Sequence, residues 1–180
     1  MTRARLLISA FAALAVGLAA VPPAAPRADE GDPAGWSVSV DPRGRAFLKW
    51  VAEAGGPRVL LIGCLRDADE FFVSAKTVPG MEEGEDVELQ LLVPDAEWRI
   101  SGSVARTEDG LMTFEKEMEA GKTAMKKLGR ELMPVLTAPG PIVLQIGNSD
   151  TMDLPLEPIA PRAGIETPLQ SFEKVCFGGR

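Results

Sequence analysis

The chain has no histidine and no tyrosine, and only two cysteines and three tryptophans among its 180 residues. Without histidine, Ser-His-Asp and Cys-His nucleophilic sites and imidazole-based metal centres are excluded. Basic residues are also in deficit, with 19 Lys and Arg against 26 Asp and Glu. The uncharged apolar run, Leu6 to Val21, is sixteen residues long, whereas a helix crossing a bilayer needs about 20. What is present is ordinary for a globular protein: 46% hydrophobic and 25% charged residues. The length suggests one domain, able to bury roughly two-thirds of its unfolded surface.

Residues 1–28 read as a secretory signal peptide, with Arg3 and Arg5 before the apolar run and Pro22-Pro23 after it. Cleavage is expected between residues 19 and 28, after Gly17-Leu18-Ala19 or after Ala28; an uncleaved anchor is the alternative. Residues 29–35 then form a flexible polar leader, and 36–180 one β-rich domain. Removing 1–28 takes away three arginines and no acid, so the net charge moves from −7 to −10. Such a balance disfavours nucleic acid and anionic membrane as partners. The expected location is the periplasm or outside the cell. In an oxidising compartment Cys64 and Cys176 are expected to pair, the alternatives being two buried thiols or an intermolecular bridge. The loop would enclose 111 residues, worth about 4–5 kcal/mol on the chain-entropy argument.

Apolar and polar residues alternate at 36–40 and 45–51, where Ala46, Leu48 and Trp50 oppose Arg45, Phe47 and Lys49. The apolar run Val59–Leu65 suits a central strand covered on both faces, with Cys64 near its end. Further strands are expected at 70–75, 87–93, 98–104, 111–116 and 142–146, with Glu108-Asp109-Gly110 as a hairpin signal. Ala124, Met125, Leu128 and Leu132 recur at helical spacing, and Pro134 is expected to stop that helix. Residues 148–164 read as loop. Thr167-Pro168-Leu169-Gln170 reads as a capping box opening a second helix, with Leu169, Phe172, Val175 and Cys176 on one face. The expected fold is mostly β: an antiparallel sandwich or open barrel of about seven or eight strands with two amphipathic helices, the last clipped to a central strand.

No motif carries chemistry strongly. Gly121-Lys122-Thr123 resembles the end of a phosphate loop, but position 116, where the earlier glycine belongs, is Lys. The acids Glu82, Glu83, Glu85 and Asp86 are weak candidates for a hard cation, as are Asp150 and Asp153 beside Asn148, although Met152 stands at a ligand position. A solvated loop is the ordinary reading of both. Ser171 near Lys174 reads as a helix-surface pair rather than a nucleophile and its base. Paired carboxylates for glycoside hydrolysis find no tyrosine platform. No cofactor and no catalytic residue is assigned. Trp36, Trp50 and Trp98 stand on apolar strand faces, where core packing is the default, and an exposed one would be a partner-binding candidate.

Trp36, Ile62-Gly63-Cys64, Asp109-Gly110 and the terminal Leu169–Cys176 helix together resemble the layout of type VI secretion-associated periplasmic proteins. The layout is more distantly similar to the invasion-associated locus B family. The chain departs from the first by lacking a Trp after its last cysteine and by the long 148–164 segment, and from the second by having only two cysteines. The resemblance implies a non-enzymatic envelope role with another envelope protein as partner. Such a role requires an exposed apolar patch. The alternative, a small-ligand or cation-binding protein, requires carboxylates that converge.

Overall fold

The computed structural model describes residues 32–77, 79–148 and 160–178. The expected signal peptide lies outside the described residues, as do Asp150 and Asp153. The first four strands are β1 (Gly35–Val40), β2 (Arg45–Val51), β3 (Arg58–Leu65) and β4 (Glu70–Lys76). They are followed by β5 (Asp86–Val93), β6 (Ala96–Arg106), β7 (Met112–Glu119), helix α1 (Lys122–Thr137), β8 (Val143–Gly147) and helix α2 (Glu166–Cys176). All pair antiparallel in one eight-stranded sheet, in the order β1-β2-β3-β4-β7-β6-β5-β8. The sheet curls into a half-barrel, so of the two expected architectures the open barrel is the one formed.

Strand periodicity decides which side is inside. Ala46, Leu48 and Trp50, then Leu60, Ile62 and Cys64, then Phe71, Val73 and Ala75 share one face and are buried. Leu89, Leu91, Phe114, Leu144 and Ile146 continue it. Both helices lie on this inner face, α2 against β1, β2 and β3, and α1 against β5 and β6. Cys64 and Cys176 form a disulfide with Cα atoms 5.7 Å apart, fastening α2 to β3.

The sheet changes course at β6. Its residues up to Ser103 pair with β5, and those from Ser103 to Arg106 pair with β7. Gly102 stands at the turnover, where an added Cβ would lie 2.4 Å from the Glu115 carbonyl oxygen. Only glycine lets the two backbones approach so closely. Two subsheets therefore meet along β6: β1-β2-β3-β4-β7 and β6-β5-β8.

Several expectations are corrected. Helix α1 does not stop at Pro134 but runs to Thr137, and the Ala138 N–H donates to the Pro134 carbonyl at 3.0 Å. Proline removes its own donor but leaves its carbonyl free to close the last turn. The capping box does not form. Helix α2 starts at Glu166 after fully buried Ile165, without a side-chain cap, and Thr167 and Pro168 lie inside its first turn. Pro168 is tolerated there because first-turn N–H groups have no intrahelical acceptor. Strand β7 continues to Glu119, beyond the expected 116. The segment read as loop contributes Ala160, which exchanges two backbone bonds with Ile142 at 2.9 and 3.1 Å. Strand β1 takes in Gly35, and Asp32, in the stretch read as leader, pairs with Lys49.

Candidate functional site

The three tryptophans are not exposed. Trp36, Trp50 and Trp98 are 8%, 2% and 4% accessible, and the Trp36 indole N–H donates to the Pro161 carbonyl at 2.7 Å. They belong to the core and offer a partner no surface.

The acids of the 82–86 loop do not converge either. Glu83 pairs with Arg106 at 3.3 Å, Glu85 accepts from the Glu82 backbone at 3.2 Å and from the Asn148 amide at 3.3 Å, and Asp86 opens β5. No three Asp, Glu, Cys or His side chains are grouped as metal ligands among the described residues. Gly121-Lys122-Thr123 is the start of α1, with Gly121 at its N-cap.

The apolar surface stands elsewhere, on the outer face of the first subsheet. Phe47, Gly63 and Phe72 lie side by side on β2, β3 and β4. With no side chain between them, the two rings close over Gly63, their centroids 5.6 Å apart at an angle of 50°. A Cβ on Gly63 would lie 2.1 Å from Phe72 and 3.0 Å from Phe47. Leu61 and Leu65, two residues to either side of Gly63 on the same strand, complete an apolar diamond that is half-buried. Phe47, Leu61, Leu65 and Phe72 line a trough of about 840 Å³ on the sheet surface. Exposed Leu111, 45% accessible, lies at its β7 end.

Charge is distributed unevenly around the diamond. On the β2 side Arg45 pairs with Asp67 at 2.8 Å and Lys49 pairs with Asp32. The hydrogen bond from Arg45 holds the Asp67 carboxyl below the usual carboxylate range, and the same bond raises Arg45. On the opposite side, β7 turns Glu115, Glu117 and Glu119 outward, all exposed. Glu119 sits directly across from Glu70, and Glu117 directly across from Phe72. None of these four glutamates enters an ion pair among the described residues. Like charges facing each other across strands are destabilising, so the Glu70–Glu119 pair carries a local cost.

The sequence carried faint signals of this surface. Phe47 is an aromatic in the polar register of β2, and adjacent Phe71 and Phe72 cannot both face inward on one strand. Nothing in the linear order showed that Gly63 would bring Phe47 and Phe72 together.

No helix among the described residues is long and apolar enough to cross a membrane. No family model, no curated protein and no solved structure matches the chain. The disulfide is compatible with an exported protein.

Proposed function

We propose that this is a non-catalytic, exported envelope protein that binds another envelope protein through the outer face of its first subsheet. The observation that carries this reading is the Phe47–Phe72 pair over Gly63, flanked by Leu61 and Leu65 and walled by glutamates that enter no ion pair among the described residues. An apolar centre with a polar rim is the anatomy of a protein contact. The partner segment brings an apolar anchor to the diamond and Lys or Arg to Glu115, Glu117 and Glu119. The resemblance to type VI secretion-associated periplasmic proteins, and more distantly to the invasion-associated locus B family, is part of the same proposal.

The test is capture from a periplasmic extract, comparing the wild-type chain with Phe72→Ser and with Arg99→Ser on the opposite subsheet. The expected result is a protein retained by wild type and Arg99→Ser, lost with Phe72→Ser, and released by salt. Retention of the same proteins by all three chains overturns the reading.

A further inference from the structure

A second depression lies on the helical side, independent of the trough. It has about 540 Å³ between α1 and α2, within the range typical of small-molecule sites. Its floor is Gly129, Met133 and Phe177, and its rim on α1 is Lys126 and Arg130. The spacing explains the arrangement: 126 and 130 lie one turn apart, as do 129 and 133, so cations and floor form parallel rows. Gly129 costs helix stability, and its position has a packing reason. The Phe177 ring lies against it, 2.8 Å from where a Cβ would stand, and meets Phe172 edge-on at 5.7 Å.

We propose that this cleft binds a small anionic amphiphile, an apolar body bearing one carboxylate. The charge argument is local. An adjoining depression shares Lys126 and Phe177 and adds Arg66 and Lys122. Among the described residues the two bring four cations against two carboxylates, Asp69 and Glu173, on a chain whose net charge is −7. The positive rim thus runs against the composition of the whole molecule. Lys122, Lys126 and Arg130 stand on α1, and Arg66, in the turn before β4, donates to the Val175 carbonyl at 3.2 Å. With the apolar floor beside them, a ligand with an acid head and an apolar body meets both. Cys176, the neighbour of Phe177, is bonded to Cys64. The floor is therefore held in place before any ligand arrives, which lowers the ordering cost of binding.

The probe is decanoate, below its micelle-forming concentration, with decanol as the uncharged control. Binding is followed on the full chain by NMR at the Gly129 amide and the Phe177 ring. Decanoate is expected to shift both signals saturably and to bind about tenfold more tightly than decanol. The Lys126→Gln/Arg130→Gln variant, altered only at exposed helix positions, is expected to lose that preference. Equal binding of decanoate and decanol, unchanged preference in the variant, or no shift at these two residues each overturns the proposal.

Discussion

The two subsheets that meet along β6 share one inner core but present opposite outer faces. On β5 and β6 the outward polar residues Glu88, Gln90, Glu97 and Arg99 bond to one another. Arg99 reaches Glu97 at 3.0 Å and Glu88 at 3.6 Å, and the Gln90 amide donates to Glu88 at 3.0 Å. The hydrogen bond with Glu97 raises the Arg99 pKa above its ordinary value. On β2, β3, β4 and β7 the outward face instead holds an aromatic pair over a glycine and four glutamates that enter no ion pair among the described residues. The same strand chemistry yields an ion-paired polar surface on β5 and β6 and, beyond the Arg45–Asp67 and Lys49–Asp32 pairs at its β2 side, an apolar and acidic surface on the first subsheet. On the proposed function, the second of these surfaces is the one a partner covers.

The comparison can be broken at several points. Cys176→Ser releases α2 from the first subsheet and is expected to cost about 4 kcal/mol, read as a lowered denaturation midpoint in oxidising buffer. An unchanged midpoint would mean the clip contributes nothing. Gly102→Ala forces a methyl group against the Glu115 backbone at the junction and is expected to cost about 2–3 kcal/mol. Amide exchange should rise in both subsheets; a rise in one alone would show that they open independently. Gly63→Ala meets movable rings rather than backbone, so its expected cost is smaller, about 1–2 kcal/mol. It should also abolish capture of the partner, whereas Arg99→Ser should leave capture intact.

Smaller effects sharpen the contrast. Glu119→Gln removes a like-charge pair with Glu70 and is expected to stabilise the fold by a few tenths of a kcal/mol while weakening partner capture at low salt. A loss of stability would show that the acidic wall is compensated. Asp67 titrates below the usual carboxylate range in the folded protein. Its contribution is complete above the unfolded value and is lost as pH falls through the folded one. Asp67→Asn should therefore flatten the acid limb of the melting curve slightly; identical limbs would remove the Arg45–Asp67 bond as a cause.

The legible features were those set by local chemistry. Alternation at 45–51 placed Leu48 and Trp50 inside, and the Asp109-Gly110 signal marked the β6–β7 hairpin, where Gly110 adopts φ of 83°. Two cysteines allowed one intramolecular pairing, and that pairing is present. The start of α2 departs from its local signals because the capping preferences of Thr167 and Gln170 yield to the burial of Ile165.

By itself, the sequence determined the strand periodicity, the two helices, the one intramolecular pairing two cysteines allow and the exclusion of histidine chemistry, because each depends on near neighbours or on counting. Only the tertiary structure decided that the three tryptophans are core, that the acids of residues 82–86 disperse, and that Phe47 and Phe72 meet over Gly63. Those outcomes depend on strand order and register, which bring residues from separate strands to one row. The polarity of each outer face was written along the strands, but which strands would lie side by side was not.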